Sequence, residues 1–291
     1  MTDYHPFRST EAKEKCLTIF NAWEKSKWPI ESEKRYVETS YGKTFVRISG
    51  PENGPPLVLL HGFGGNSLLW SGSIETLSKS LRTYAVDIID DYGLSICTTP
   101  IKNGFDYAKW LDEFFTGLGL GNNINLLGIS YGGWITSQYA LHFQSRLNKI
   151  VLLAPACTVL PLRIQFYLRQ ILMILPFRFF KESFFTWVDP TVKNSKGFQE
   201  GIDLLETSMK CFKPRYKIAR PTVLNDEELK SIKCRSLFLI GEYDNIYSPQ
   251  KAINRLDRIA PNIEKEIIPD VGHMNIVYSH ETNKKVTGFL V

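Results

Sequence analysis

Ser130 lies at the centre of the pentapeptide Gly-Ile-Ser-Tyr-Gly (residues 128–132), which joins the end of the apolar run INLLGI (residues 124–129) to the start of a helix-length stretch. A serine at a sharp turn from a buried strand into a helix is held in a strained backbone conformation, and the flanking glycines leave room for the chain to pass. Such a turn exposes the hydroxyl at the edge of a sheet. The pattern therefore predicts that Ser130 is a nucleophile.

His273 is the candidate base for this hydroxyl. A serine hydroxyl is a weak nucleophile until a neighbouring group accepts its proton. His273 follows the last apolar run and precedes the last helix-length stretch, in the sequence Asp-Val-Gly-His-Met (residues 270–274). A loop in that position would hold its side chain at the carboxyl edge of an open α/β sheet, where catalytic groups gather. His5, His142 and His280 lie in a polar terminus or within helical stretches, where surface or core roles are expected.

A carboxylate is needed to orient the imidazole and to stabilise its protonated form. Asp244 directly follows the apolar run LFLI (residues 237–240), which places it at the same edge of the predicted sheet. Asp270 is the competing candidate because it is close to His273 in sequence. The chain order serine, aspartate, histidine favours Asp244.

Backbone donors for a developing oxyanion are predicted from the segment His-Gly-Phe-Gly-Gly (residues 61–65), which follows the run LVLL (residues 57–60). Preorganised N–H groups stabilise the negative charge of a tetrahedral intermediate better than water does. The N–H groups of Phe63 and Tyr131 are the two candidates. His61 is expected to hold the loop by packing or hydrogen bonding rather than to transfer protons.

The same glycines permit a dinucleotide-binding interpretation. Gly62-Phe63-Gly64 follows a strand and precedes a helix, and Asp87 lies near the end of the next strand. Ser67 replaces the third glycine of that fingerprint, however, and a hairpin before the strand is unexpected. A nucleotide site would also leave the serine, aspartate and histidine without explanation.

The elements that must position these residues form a regular pattern. After an N-terminal amphipathic helix ending near Pro29, alternating runs over residues 35–49 predict a hairpin with Tyr41-Gly42 at its turn. Short apolar runs then alternate with helix-length stretches, which predicts a mostly parallel sheet with right-handed crossovers. The strands are predicted at residues 57–60, 84–89, 124–129, 150–154, 237–240 and 266–269. The helices are predicted at residues 68–81, 105–118, 132–143, 249–259 and 275–289.

This alternation is interrupted between residues 154 and 237, where about eighty residues contain no clear strand and a dense apolar stretch spans residues 160–180. We predict a core whose first part is residues 1–156, including the N-terminal helix, and whose second part is residues 234–291. Residues 157–233 are predicted to form a helical lid over the sheet, and we call them the lid segment.

The lid segment holds eight aromatic residues between positions 166 and 187, out of a total of 18 Phe, 13 Tyr and 6 Trp in the chain. A stripe of this kind commonly packs a lid against a body, but a lid must also present one side to the site. The candidate substrate-binding residues are Phe166, Phe177, Phe180 and Trp187. Basic residues at positions 163, 169, 178 and 181 would suit an anionic membrane, but the apolar positions surround the helix rather than forming one face, so we expect no membrane contact.

Composition excludes several classes of protein. The net charge of +5 is scattered along the chain, so the basic stripe of a nucleic-acid-binding protein is missing. Five widely spaced cysteines without a C-x-x-C pair argue against a disulfide framework or a structural zinc site. The first fifteen residues have no apolar signal region, and glycines interrupt the long uncharged stretch at 114–145. A cytoplasmic protein is expected, and its oligomeric state is left open.

Together the motifs HGFGG, GISYG, GEYD and DVGHM, in this order, resemble those of the α/β-hydrolase superfamily, from about residue 35 to the end of the chain. The chain looks most like bacterial carboxylesterases with an N-terminal helix and a helical lid. The resemblance implies a mostly parallel central sheet with helices on both faces and a lid insertion. Asp90 and Asp91 occupy a loop that is glycine-rich in many members, and we expect them to be solvated or to rim the site. Serine at position 130 disfavours a haloalkane dehalogenase or an epoxide hydrolase.

The implied reaction is hydrolysis of a small or medium apolar carboxylic ester through an acyl-enzyme, with no metal and no organic cofactor. The same residues could instead cleave a thioester, an amide or a carbon–carbon bond. A non-catalytic binding or receptor protein on the same fold is the alternative from another class, because fold alone does not fix function.

Overall fold

The central sheet carries the residues singled out above. The computed structural model describes residues 5–173, 175–195, 197–213 and 218–291. Within these residues, nine strands form one sheet. The strands are β1 (Glu33–Thr39), β2 (Gly42–Ser49), β3 (Pro56–Leu60), β4 (Arg82–Val86), β5 (Ile96–Cys97), β6 (Ile124–Ile129), β7 (Leu147–Leu153), β8 (Arg235–Gly241) and β9 (Glu264–Ile268).

The strand order is β1-β2-β4-β3-β6-β7-β8-β9, with the two-residue strand β5 paired to β2. From β4 to β9 every neighbouring pair is parallel, whereas β1 pairs antiparallel with β2 in the predicted hairpin and β2 pairs antiparallel with β4. Parallel strands bring their carboxyl ends to one edge of the sheet. The loops after β3, β6, β8 and β9 therefore meet at that edge.

The alternation of side chains along each central strand fills two apolar layers. Val58 and Leu60 face one layer, which contains Trp110 and Trp134 of the covering helices. The residue between them, Leu59, faces the other layer. All six residues of β6 are buried, as expected for a parallel strand covered on both faces.

Helices cover both faces of the sheet. They are α1 (Thr10–Lys27), α2 (Ile74–Leu77), α3 (Gly104–Gly117), α4 (Tyr131–Phe143), α5 (Ile164–Leu172), α6 (Arg178–Val188), α7 (Phe198–Cys211), α8 (Asp226–Ser231), α9 (Pro249–Ile259) and α10 (His280–Leu290). The prediction of α9 is confirmed to the residue, and those of α3 and α4 within one residue at either end.

Two predicted helices are broken in the structure. The stretch at 68–81 forms a short 3₁₀ helix, Ser67–Gly72, followed by the single turn of α2. A Cβ at Gly72 would lie 2.5 Å from Cδ1 of Tyr278, so the chain passes closely against that ring. The last stretch forms a 3₁₀ helix, Asn275–Tyr278, and then α10, whose N-cap Ser279 accepts a hydrogen bond from the N–H of Thr282.

In its described residues, the lid segment is mainly helical and comprises α5, α6, the 3₁₀ helix Pro190–Asn194, α7 and α8. Positions 174, 196 and 214–217 of the predicted lid lie outside the described residues. An ion pair between Lys27 and Glu200 (3.1 Å) joins α7 to the N-terminal helix α1. No helix in the described part of the chain is long and apolar enough to cross a bilayer.

Candidate active site

Ser130 occupies the tight turn between β6 and α4, and its backbone is strained, with φ 53° and ψ −114°. A Cβ at Gly128 would lie 2.2 Å from the carbonyl oxygen of Gly132. A Cβ at Gly132 would lie 2.4 Å from the carbonyl oxygen of Leu60. Both contacts are shorter than any side chain tolerates, so the turn requires glycine at both positions.

Backbone hydrogen bonds fix the strained turn. The N–H of Ser130 donates to the carbonyl of Leu153 at the end of β7 (2.9 Å), and the Ser130 carbonyl accepts from Ala156 (2.8 Å) and Trp134 (3.0 Å). Each of these groups belongs to a different segment of the core. The serine is therefore held by the sheet and the helix together.

The structure brings Ser130, His273 and Asp244 together. Nε2 of His273 lies 2.9 Å from Oγ of Ser130, and Nδ1 lies 2.7 Å from Oδ2 of Asp244. The other Asp244 oxygen accepts a hydrogen bond from the N–H of Ile246 (2.9 Å). Asp270 is exposed, and its N–H donates to Glu242. The carboxylate beside the imidazole is thus that of Asp244.

The electrostatic surroundings of His273 determine its protonation. Burial of the ring acts to lower its pKa, but the charge of Asp244, its hydrogen bond to Nδ1 and the charge of Asp189 together raise the pKa above the ordinary value. The site therefore stabilises the imidazolium form of His273. His273 takes this form when it accepts the proton of the Ser130 hydroxyl.

The loop after β3 lies directly beside the serine. A Cβ at Gly62 would lie 3.4 Å from Cβ of Ser130, and the rings of Phe63 and Tyr131 meet edge to face at 5.8 Å. Tyr131 begins α4, so its N–H lies at the positive end of the helix dipole. Both predicted donors thus belong to segments adjacent to the nucleophile.

His61 has no contact with the serine that could transfer a proton, because both its ring nitrogens are occupied. Nε2 accepts from the N–H of Ile88 (3.0 Å), and Nδ1 lies 2.8 Å from the carbonyl of Gly62. The ring is fully buried. It joins the loop after β3 to the loop after β4, the loop-holding role expected for it.

Asp91 differs from its predicted surroundings. The sequence predicts that it is solvated or rims the site, but the structure buries it beside the loop after β3. Its Oδ2 accepts from the N–H of Gly64 (2.9 Å) and its Oδ1 from the N–H of Tyr92 (2.7 Å). The residue therefore fixes the backbone next to Phe63. The sequence offers no local signal for this contact, which joins residues 27 positions apart.

The comparisons with known proteins agree with this geometry. The family model for the alpha/beta hydrolase fold matches residues 55–192. The chain is 36% identical over 254 residues to an uncharacterized carboxylesterase, nap, of Bacillus subtilis, covering 86% of this chain and 83% of that relative. The chain belongs to the α/β-hydrolase family. It is also 32% identical over 287 residues to carboxylesterase YbfK of the same species, covering 96% of this α/β-hydrolase and 95% of that relative.

A solved structure extends the likeness to the whole fold. The crystal structure of naproxen esterase (carboxylesterase NP) from Bacillus subtilis matches with a TM-score of 0.90 and 30% identity, over 98% of this α/β-hydrolase and 100% of that chain. The predictions of the fold class and of a carboxylesterase-like family member are confirmed. The dinucleotide interpretation is wrong: Asp87 is buried, and its two carboxylate oxygens accept from the N–H groups of Ser67 and Leu94.

The lid segment of this α/β-hydrolase contacts the site from several directions. A Cβ at Gly64 would lie 3.4 Å from Leu205 of α7. The Tyr131 hydroxyl donates to the carbonyl of Ala219 (2.6 Å), and Nε1 of Trp134 donates to Thr222 (3.3 Å). Residues 61–65 and the first turn of α4 are thus both contacted by this segment.

The four aromatic candidates lie in two environments. Phe166 and Trp187 are partly buried against the core, where Phe166 contacts Phe184. Phe177 is 63% exposed and contacts Phe180 at the start of α6. In the described residues, no group of three His, Cys, Asp or Glu side chains is placed to hold a metal ion.

Proposed function

We propose that this chain is a serine hydrolase of carboxylic esters in which Ser130 is the nucleophile, His273 the general base and acid, and Asp244 the group that orients the imidazole. The observation that carries the proposal is the continuous contact from Asp244 through His273 to Ser130, at 2.7 Å and 2.9 Å. The named carboxylesterases among its relatives support the same substrate class.

In the acylation step, Oγ of Ser130 attacks the ester carbonyl carbon while Nε2 of His273 takes the hydroxyl proton. The carbonyl π electrons move to oxygen, and the N–H groups of Phe63 and Tyr131 stabilise the resulting oxyanion. The tetrahedral intermediate collapses as the imidazolium protonates the departing alkoxide. An alcohol leaves, and the acyl group remains on Ser130.

In the deacylation step, a water molecule replaces the alcohol. His273 takes a proton from the water while the water oxygen attacks the acyl carbon. A second oxyanion then forms beside the N–H groups of Phe63 and Tyr131. Collapse then expels Oγ of Ser130, which recovers its proton from the imidazolium. The products are a carboxylic acid and the original enzyme.

The proposed substrate is a small or medium ester with apolar groups. The lid segment, proposed at residues 157–233 between core parts 1–156 and 234–291, supports this because the apolar Leu205 lies next to Gly64 of the site and because Phe166 and Trp187 pack against the apolar core. We propose that Phe166, Phe177, Phe180 and Trp187 contact the apolar acyl or alcohol group. Binding would then gain from apolar surface removed from water.

We also propose that the substrate is a small-molecule ester and that the chain binds neither nucleic acid nor a membrane surface. Arg178 pairs with Asp203, and Lys181 pairs with Glu206 (3.3 Å), so these basic residues of the lid segment are already bound to acids of α7. This supports the absence of binding to anionic membranes or nucleic acids. All five cysteines remain thiols, as is typical of proteins in a reducing compartment such as the cytoplasm.

Ester hydrolysis with labelling of the serine tests the proposal. We expect p-nitrophenyl esters of increasing chain length to be hydrolysed and a fluorophosphonate probe to modify Ser130, as mass spectrometry of the labelled peptide would show. Ser130→Ala should abolish both, because it removes the attacking oxygen. Ser26→Ala, at an exposed position of α1, is the matched control. Equal turnover by Ser130→Ala, or a label elsewhere, would exclude the proposed mechanism.

A further inference from the structure

We propose that Asp189, at the end of α6 in the lid segment, is a positioning residue that fixes the His273 loop for catalysis. This inference rests on the proposed function, in which His273 must stay between Asp244 and Ser130. Asp189 touches no reacting atom. It acts through the backbone on either side of His273.

The carboxylate of Asp189 is fully buried and accepts hydrogen bonds through both oxygens. Its Oδ2 accepts from the N–H groups of Met274 (2.8 Å) and Asn275 (2.9 Å), the two residues that follow His273. Its Oδ1 accepts from the N–H and the hydroxyl of Thr191. Four donors thus converge on one carboxylate, and two of them belong to the histidine loop.

The chain before His273 also lies against this carboxylate. A Cβ at Gly272 would lie 2.0 Å from Oδ1 of Asp189, a separation that no side chain could occupy. The carboxylate therefore contacts the backbone on both sides of the histidine. A shift of Asp189 would move residues 272–275 and the imidazole with them.

The neighbouring residues of the lid segment hold the loop that carries the orienting aspartate. The Trp187 carbonyl accepts from Nδ2 of Asn245 (2.9 Å), and the Val188 carbonyl accepts from the N–H of Asn245 (3.2 Å). Asn245 directly follows Asp244. Residues 187–189 therefore contact the loops of both the aspartate and the histidine, and set their separation.

The chemistry of the contact explains why the residue is a carboxylate. An ionised carboxylate only accepts hydrogen bonds, so both of its oxygens can face donors. An asparagine in the same place would turn an NH₂ group towards the N–H groups of the histidine loop or those of Thr191. It would also remove a negative charge, which acts with that of Asp244 to raise the pKa of His273 against the effect of burial.

Asp189→Asn is the first test. We expect kcat for the smallest p-nitrophenyl ester to fall about 10-fold to 100-fold with little change in KM, because misplacement of a catalytic group affects the transition state more than binding. The acid limb of the kcat/KM profile should move to lower pH. Since His273 must be neutral to accept a proton, a lower pKa keeps it neutral further into the acid range. A general loss of folded protein would lower the rate without moving the midpoint.

Gly272→Ala is a second test that keeps the charge. The new methyl should displace the Asp189 carboxylate, so kcat should again fall with KM nearly unchanged. In an Asp189→Ala background the same methyl meets no carboxylate, and its effect on kcat should be several-fold smaller than in the wild type. This non-additivity distinguishes positioning through Asp189 from an independent effect of the methyl group on the loop.

The control is Asp112→Asn. Asp112 lies on α3, and its carboxylate pairs with Arg146 (2.8 Å) rather than with the histidine loop. This substitution should leave kcat per folded molecule and the pH midpoint unchanged. If Asp189→Asn retains wild-type kcat and pH midpoint, the inference is wrong while the proposed function stands. If Asp189→Asn does not fold, the inference is tested by Gly272→Ala. It is wrong if Gly272→Ala has the kcat of the wild type, or if this substitution lowers kcat equally in the wild type and in the Asp189→Ala background. Absence of hydrolysis by the wild type would instead overturn the proposed function.

Discussion

At the scale of single residues, Gly128 and Gly132 show how a short motif encodes a backbone constraint. Each glycine allows a main-chain approach that any side chain would block. Between them, Ser130 adopts a positive φ that is uncommon for a residue with a Cβ. The constraint is local in sequence, and for that reason the motif alone predicts it.

The choice of carboxylate also belongs to the residue scale. Asp270 is three positions from His273, yet its side chain is exposed, whereas Asp244 is buried and 29 positions away. Closeness in sequence to His273 therefore does not predict which carboxylate contacts the imidazole. The position of Asp244 after β8, at the carboxyl edge of the sheet, does predict this contact.

Asp244→Asn should lower kcat by about 10⁴-fold, because the amide no longer stabilises the required tautomer or the imidazolium. Steady-state kinetics on a p-nitrophenyl ester would measure the change. Asp270→Asn serves as the matched control and should retain nearly full activity. The reverse result would assign the orienting role to Asp270.

At the scale of elements, the alternation of apolar runs with helical stretches predicted the parallel part of the sheet and the hairpin before it. The same patterns did not show where two helices break. Near Gly72 the interruption coincides with the close approach of the Tyr278 ring, which is about two hundred residues further along the chain. Helical periodicity describes one segment at a time, so it does not report such a contact.

Trp187 belongs to this scale because its proposed role depends on how α6 lies on the core. Its ring is partly buried and lies 5.5 Å from the guanidinium of Arg169. Trp187→Ala should change the ratio of kcat/KM between long-chain and short-chain esters by about tenfold, since even one methylene in an apolar pocket is worth about this much. The acetate ester should be the least affected.

Phe179→Ala is the matched control for this measurement, because Phe179 lies on the same helix and is 70% exposed. It should leave the chain-length preference unchanged. Equal ratios in Trp187→Ala and the wild type would remove Trp187 from the proposed substrate-binding residues.

At the scale of the whole molecule, the two apolar layers support the sheet whose carboxyl edge carries the site. Leu127 lies at the centre of β6, almost completely buried, in the layer opposite that of Leu126. The strand ends at Ile129, directly before the serine, and Leu127 lies three residues before the serine. Stability and catalysis therefore share this strand, but they use different parts of it.

Leu127→Ala should lower the free energy of unfolding by about 2–5 kcal/mol, the usual cost of a large-to-small change in a packed core. Urea unfolding would measure this loss. Hydrolysis per folded molecule should stay near that of the wild type well below the transition. Leu168→Ala, at a position 58% exposed on α5, should change the free energy of unfolding by no more than about 0.5 kcal/mol.

The sequence by itself determined the features that depend on neighbouring residues or on chain order. These are the strained turn around Ser130, the parallel strands and the order of Ser130, Asp244 and His273. Steric limits and burial patterns act over a few residues, so they can be inferred from the order of the amino acids.

Only the tertiary structure decided which distant groups meet. It showed that Asp244 faces the imidazole, that Asp91 fixes the backbone at Gly64 and that Asp189 contacts the chain on both sides of His273. These contacts join residues that are 27 to 85 positions apart. They depend on how helices and strands pack against one another, and no local pattern specifies that packing.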